Sequence, residues 1–61
     1  MGYYEILKSD KNTSQPWYFV LRAGNHEIIA VSEMYSSKQA AQKGIASVRA
    51  NATTDTVHDR S

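Results

Sequence analysis

The chain has 61 residues, no cysteine and a net charge of +1. A domain of this length buries only about 60% of the surface that its unfolded chain exposes, so small proteins usually add disulfides, a metal or a second subunit. The absence of cysteine excludes disulfides and thiolate metal sites, and two histidines, His26 and His58, are too few for a structural zinc centre without carboxylates. Self-association is therefore the expected source of additional stability.

Composition and charge also limit the class of protein. Hydrophobic residues make up 41% of the chain, which is ordinary for a globular domain. The small net charge predicts no strong attraction to nucleic acid or to an anionic membrane. The longest uninterrupted apolar run, Ile28 to Val31, is too short to span a bilayer. The first residues lack the basic region and apolar core of a secretory signal, so a cytoplasmic location is expected.

The first predicted strand covers Tyr3 to Lys8, where aromatic and aliphatic residues dominate. Alternation places Tyr4 and Ile6 together on one face of this strand. The run from Ser9 to Pro16 then combines Asp, Asn, Thr and Ser with a proline, which is typical of turns. We expect this connection to be longer than a tight hairpin.

The second predicted strand, Trp17 to Ala23, has the clearest strand pattern in the chain. Trp17, Phe19 and Leu21 form one wholly apolar face, whereas the opposite face is amphipathic. The apolar face should therefore contact the core.

A hairpin should connect this strand to a third, Glu27 to Ser32. Gly24-Asn25 predicts the turn, because both residues tolerate a positive φ. Two registers remain open: a turn centred on Gly24-Asn25 places Leu21 opposite Ile28, and a turn centred one residue later shifts the pairing by two residues. Either register leaves the same side chains on each face, with Ile28 and Ala30 toward the core.

The one predicted helix runs from roughly Ser37 to Ala50. Ser36 followed by Gln39 fits a capping box, and Ser37 is an equally good N-cap, so the first residue stays uncertain by one. Asn51 is a suitable left-handed stop after the last turn.

The faces of this helix differ in character. The core side carries three apolar residues at helical spacing: Ala41, Ile45 and Val48. The solvated side carries Lys38, Gln42 and Arg49. Gly44 costs about 1 kcal/mol relative to alanine in a helix interior. We expect the compensation to be a close approach of the helix to an aromatic ring of the sheet, Trp17 or Phe19.

Three parts of the chain match the sequence pattern of one known protein family. They are Tyr35-Ser36-Ser37-Lys38 leading into Gly44-Ile45-Ala46-Ser47-Val48, the hairpin Phe19 to Asn25 with Glu27, and the opening Tyr3-Tyr4-Glu5-Ile6. Together they resemble the YegP-like family of small bacterial proteins, a domain of unknown function. The resemblance extends from Tyr3 to Asp59 and contains a single repeat, without internal duplication.

The resemblance implies an α+β fold of three antiparallel strands, one helix and a short fourth strand (β-β-β-α-β), as one domain over residues 1–61. It also implies that two such units share a single sheet and exchange C-terminal strands, so that Thr54 to Asp59 would pair with the partner's sheet. Without that pairing, Ala52 to Ser61 would be a tail. The residues expected in this exchange are Thr54, Thr56, Val57 and His58. The family supplies no activity, and no catalytic residue is carried over.

Residues suited to catalysis are sparse. His26 and Glu27 point to opposite faces if both lie in the strand, which disfavours a shared proton or metal ion. We expect His26 to be a solvent-exposed residue of the turn. His58 with Asp55 and Asp59 is more typical of a polar terminal segment than of a metal site. No serine has the glycines of a nucleophile elbow, and no glycine has the spacing of a phosphate-binding loop. We therefore expect no cofactor, no metal and no enzymatic activity.

The sheet face away from the helix gives the strongest functional signal. One helix covers one side of a sheet, and a contiguous apolar patch on the other side usually marks an interaction site. The side chains expected on this open face are Tyr3, Leu7, Tyr18, Val20, Arg22, Ile29 and Val31. Two alternatives to an interaction site stay open: subunit assembly covers part of the face, or the aliphatic parts of Arg22 and Glu5 shield it.

The sequence thus predicts a homodimeric, non-catalytic binding or interaction module of the bacterial cytoplasm, with an unidentified protein partner and neither membrane nor nucleic acid. The alternative is a weak binder of single-stranded nucleic acid, in which Tyr3 and Tyr18 stack on bases and Arg22 supplies charge. Glu5 and Glu27 on the same face disfavour that alternative. A second alternative is an enzyme with a site formed at the dimer interface.

Overall fold

In a computed structural model that describes every residue from Met1 to Ser61, the chain forms three strands and one helix. The strands are β1 (Tyr3–Lys8), β2 (Trp17–Arg22) and β3 (Ile28–Val31), and the helix α1 covers Lys38–Asn51. The sheet is antiparallel in the order β1-β2-β3, and α1 packs against β1 and β2. The α+β architecture is confirmed, whereas residues 52–61 form no strand within a single chain.

The pairing of β1 with β2 determines which side chains face α1. Tyr4 lies opposite Leu21, and Ile6 lies opposite Phe19. Phe19 is 5% exposed, and Ala41 of α1 is fully buried. The Phe19 ring also meets the ring of Tyr4 edge-on, with centroids 6.1 Å apart. The apolar face predicted for the second strand is therefore the core face.

The β2–β3 hairpin has a three-residue loop. The N–H of His26 donates to the Ala23 carbonyl at 2.9 Å, and the N–H of Ala23 donates to the Glu27 carbonyl at 2.8 Å. His26 has a φ of 72° and is the residue in the left-handed region, while Gly24-Asn25 stays outside it. The positive φ expected at Gly24-Asn25 is therefore wrong. A turn followed by one left-handed residue closes the loop, which is a common three-residue hairpin.

A register shift next to this loop changes the position of Ile28. Leu21 lies opposite Ala30, which agrees with the second of the two registers left open by the sequence. The register then shifts between Leu21 and Arg22, so that Arg22 lies opposite Ile28. An irregularity of this kind leaves one residue unpaired and bends the strand. Ile28, expected on the core face, is instead 49% exposed.

Both ends of α1 are closed by side-chain hydrogen bonds. Ser37 is the N-cap: its backbone is extended, and its Oγ accepts from the N–H of Ala40 at 3.0 Å. At the other end the cap residue Ala52 is right-handed, with a φ of −72°. The left-handed stop expected at Asn51 is therefore wrong, because no residue there has a positive φ. Instead the side-chain amide of Asn51 donates to the Ser47 carbonyl at 2.8 Å, and the N–H of Ala52 donates to the otherwise free carbonyl of Val48, also at 2.8 Å.

Gly44 allows α1 to approach a stacked pair of aromatic rings. A Cβ atom at this position would lie 2.9 Å from Cε2 of Phe19, and it would also meet the hydroxyl of Tyr35. The two rings stack with centroids 6.2 Å apart and an interplanar angle of 15°. Paired backbone hydrogen bonds of 3.0 and 2.6 Å attach Tyr35 to Trp17. The predicted approach to Phe19 is confirmed, and the second ring is Tyr35 rather than Trp17.

Candidate functional site

The central side chain on the open face of the sheet, Val20, is buried. Val20 projects onto this face between Glu5 and Val31, its neighbours on β1 and β3, yet it is only 2% exposed. The side chains of Glu5 and Arg22 are joined beside it by a salt bridge. Long side chains can cover apolar surface with their aliphatic stems. Val20 is therefore nearly inaccessible in a single chain, although the sequence placed it among the exposed side chains of this face.

Arg22 connects β1 to the tip of the hairpin. Its Nε donates to Oε1 of Glu5 at 2.5 Å, and its Nη1 donates to the carbonyl of His26 at 2.7 Å. The hydrogen bond to Glu5 raises the pKa of Arg22 above its ordinary value, so the guanidinium stays charged. Both partners of Arg22 lie in its own chain, so this side chain holds the tip of the hairpin to β1.

Tyr3 and His26 form a second link at the same end of the sheet. The Tyr3 Oη lies 2.8 Å from Nδ1 of His26, and the two rings meet edge-on with centroids 5.8 Å apart. The sequence predicted an exposed turn histidine, and His26 is exposed, but its bond to Tyr3 was missed. The contact follows from the pairing of β1 with β2, whose register was not predicted from the sequence. In that register Tyr3 lies opposite Arg22, where β2 enters the hairpin.

These links occupy the groups on which single-strand binding would depend. Arg22 is bonded to Glu5, Tyr3 is bonded to His26, and Tyr18 is half-buried beside Leu7, its neighbour on β1. Stacking platforms for single strands need rings with free faces and a cation free to meet phosphate.

The structure also brings together no group of three or more histidine, aspartate or glutamate side chains that could hold a metal ion.

β3 is the most exposed apolar element of the chain. Ile28, Ile29 and Val31 are 49%, 61% and 64% exposed, and Ala30 between them is exposed as well. α1 packs on β1 and β2 and does not reach β3. Both faces of this edge strand are therefore open to solvent. Although β3 has only four residues, an exposed apolar edge strand presents unpaired N–H and C=O groups with which another chain can pair.

A cleft of about 600 Å³ lies between the β1–β2 connection and the open face. It is lined by Ser9, Lys11, Thr13, Ser14, Gln15, Tyr18 and Met34. Two of its hydroxyls already accept backbone hydrogen bonds: Ser9 from the N–H of Lys11, and Thr13 from the N–H of Gln15. The lining contains no carboxylate and no histidine, so the cleft assembles no acid–base pair. Sequence reasoning treated the five lining residues of the β1–β2 connection only as turn formers, and it placed Tyr18 on the open face.

The segment after α1, residues 52–61, is exposed throughout, and its Val57 is 84% exposed. Its hydrogen bonds are all local, such as that from the Thr56 N–H to the Thr54 hydroxyl at 3.2 Å. Hydrogen bonds from Ser61 lower the pKa of Asp59. The residues expected in strand exchange therefore have no strand partner in one chain. α1, with 14 residues, is too short and too polar to cross a bilayer.

Known proteins resemble this chain over most of its length. The UPF0339 protein YegP of Escherichia coli (strain K12) is 54% identical over 50 residues, which cover 82% of this chain and 43% of that protein. A UPF0339 protein of Bordetella pertussis is 48% identical over 60 residues, which cover 98% of this chain and 51% of that protein. A family model described as a domain of unknown function (DUF1508) matches residues 12–59. The chain belongs to the YegP-like family.

The YegP-like chain spans about half the length of the curated relatives it matches. A solved structure shares its fold: the NMR solution structure of a protein from Haloferax volcanii matches with a TM-score of 0.75 and 30% identity, over 95% of each chain. The resemblance seen in the sequence is thus confirmed. The description of the YegP-like family names no activity, so the family remains uncharacterised in function.

Proposed function

We propose that this YegP-like chain is a non-catalytic interaction module of the bacterial cytoplasm, in which two copies share one sheet and exchange the segments that follow α1. The observation that carries the proposal is β3, an apolar edge strand that is bare on both faces. Relatives in Escherichia coli and Bordetella pertussis support the bacterial source.

The exposed apolar side chains of β3 favour a partner that stays bound to the folded chain. Burying an aliphatic side chain completely stabilises a protein by about 1.5–3 kcal/mol. Ile28, Ile29 and Val31 are 49–64% exposed, so each leaves about half or more of that gain unrealised in a single chain. The domain has only three fully buried residues, Phe19, Val20 and Ala41, so this deficit is large relative to its core. A second copy would supply the missing burial.

Residues 52–61 supply the other half of the proposed assembly. Thr54, Thr56 and Val57 favour strand, and the exposed segment makes no hydrogen bond to its own sheet. Antiparallel sheets have free N–H and C=O groups along both outer edges. Pairing the segment with an edge of the partner's sheet would satisfy backbone groups on both chains.

A further protein partner would use the part of the open face that stays accessible. That part consists of Tyr3, Leu7, Tyr18, Arg22, Ile29 and Val31, with Val20 beneath it. Aromatic and arginine side chains at the centre of a patch are the residues that dominate binding energy at protein interfaces. The cleft contains no carboxylate or histidine that could act as a base beside its hydroxyls, which favours binding over catalysis.

Sedimentation equilibrium at micromolar concentration tests the dimer. We expect the wild-type chain to sediment at twice its mass and Val31→Lys to sediment as a monomer, because a charged side chain would be buried at the shared surface. Val31 is 64% exposed in one chain, so the variant should keep its fold by circular dichroism. Gln39→Lys adds the same charge on the outer side of α1 and should remain dimeric. A monomeric wild type would contradict the proposal.

A further inference from the structure

The charge of the chain is distributed unevenly. No acidic residue lies between Glu33 and Asp55, and the charged residues in that stretch are Lys38, Lys43 and Arg49, all on α1. α1 therefore carries three positive charges and no negative one, while the rest of the chain is net negative. The expectation of no nucleic-acid partner rested on the total charge, which averages over this difference.

The cations of α1 are exposed and have no ion-pair partner. The structure contains one salt bridge, between Arg22 and Glu5, so no carboxylate neutralises Lys38, Lys43 or Arg49. The residues around them on the outer face of α1 are polar or small and all exposed: Gln39, Gln42, Ala46 and Ala50. This outer face can therefore approach a polyanion without displacing any internal contact.

The spacing of the cations suits the major groove of double-stranded DNA. At 3.6 residues per turn, Lys38 and Arg49 lie within about 20° of each other and about 16 Å apart along the axis. The major groove is about 12 Å wide and admits an α-helix. A helix laid along it would place Lys38 and Arg49 against one phosphate wall and Lys43, about 120–140° further round the helix, toward the other. Gln39 and Gln42 would then face the base edges, where glutamine amides hydrogen-bond adenine.

The same face suits other partners poorly. Protein interfaces depend on aromatic and arginine side chains held in apolar pockets, and the outer face of α1 has no aromatic or large aliphatic residue. Amphipathic helices that lie on membranes insert an apolar face. The apolar face of α1 is already packed on the sheet, with Ala41 buried and Ile45 and Val48 half-buried. We infer that the outer face of α1 binds double-stranded DNA through its phosphates.

Each phosphate contact contributes a measurable salt dependence. The logarithm of the binding constant falls by about 0.9 per contact for each tenfold rise in salt, so three contacts predict a slope of about −3 per chain. Fluorescence anisotropy of a labelled DNA duplex, titrated with the full chain over a series of NaCl concentrations, measures this slope. Lys38→Gln and Arg49→Gln should each bind more weakly and reduce the slope by about 1 per chain.

Two variants remove the same charge elsewhere. Lys11→Gln, in the β1–β2 connection, and Arg60→Gln, after α1, should keep the wild-type slope. An equal loss in these controls would overturn the assignment to α1, and so would the absence of duplex binding at the lowest salt. Tighter binding to a single strand of equal length, or to vesicles containing phosphatidylserine, would also overturn it. Duplex binding by α1 needs only one chain, so its failure would leave the sedimentation result, and the proposed dimer, untouched.

Discussion

Gly44→Ala should lower the free energy of unfolding, although glycine-to-alanine changes inside helices usually raise it by about 1 kcal/mol. The new Cβ atom would lie 2.9 Å from Cε2 of Phe19 and would meet the Tyr35 hydroxyl. Tyr35 is bonded to β2 through its backbone, so the stacked pair has little room to move. Overpacking of this kind costs about 1–3 kcal/mol. Gly44→Leu should leave too little stability for folding, which thermal unfolding by circular dichroism would show.

A matched set of variants isolates the cause. Tyr35→Phe removes the hydroxyl that lies nearest, so the double variant Gly44→Ala/Tyr35→Phe should be more stable than the two single changes predict by addition. Non-additivity of this kind is the signature of residues in contact. Ala46→Gly, on the exposed side of α1, should show the ordinary propensity loss of about 1 kcal/mol. A Gly44→Ala protein that melts above the wild type would contradict the close approach.

Removing residues 52–61 should convert the dimer to a monomer and lower its melting temperature. In a single chain these residues are exposed and make no hydrogen bond to a strand, so the same truncation would leave the melting temperature of a monomeric protein nearly unchanged. The effect of the truncation on the melting temperature therefore distinguishes a dimer with exchanged segments from a monomer. Because association stabilises the folded state by mass action, the truncated protein should also lose the concentration dependence of its melting temperature.

Point substitutions test strand pairing without shortening the chain. Thr56→Pro should reproduce most of the effect of the truncation, because proline has no N–H to donate to a strand ladder. Ser61→Ala lies beyond the segment expected to pair, residues 54–59, and should leave both mass and melting temperature unchanged. Truncation without any change in either quantity would show that the segment takes no part in assembly.

The parts of the fold that depend on short stretches of sequence could be predicted. Alternation in Trp17, Phe19 and Leu21 identified the core face, and the spacing of Ala41 and its neighbours identified the helix. The hairpin could be predicted as an element but not in detail, since His26 rather than Gly24-Asn25 takes the positive φ. The choice between these residues depends on how the two strands twist together, which no single residue specifies.

Features of the candidate site depended on contacts between distant residues and were harder to predict. Val20 is buried, and beside it Glu5 of β1 and Arg22 of β2 form a salt bridge between residues that are distant in the sequence. The stack of Phe19 on Tyr35 requires residue 35 to pair with Trp17, outside any predicted strand. The cationic face of α1 was visible in the sequence, but the total charge concealed it. Charge counted by element would have revealed it.

An NMR experiment on a mixture of isotope-labelled and unlabelled chains tests the shared sheet most directly. Isotope-filtered spectra report only contacts between protons of different chains. We predict such contacts between residues 54–59 of one chain and the sheet of its partner, together with strand-like chemical shifts in that segment. Contacts confined to single chains, with random-coil shifts at Thr56 and Val57, would contradict the exchange of segments and the dimeric module built on it.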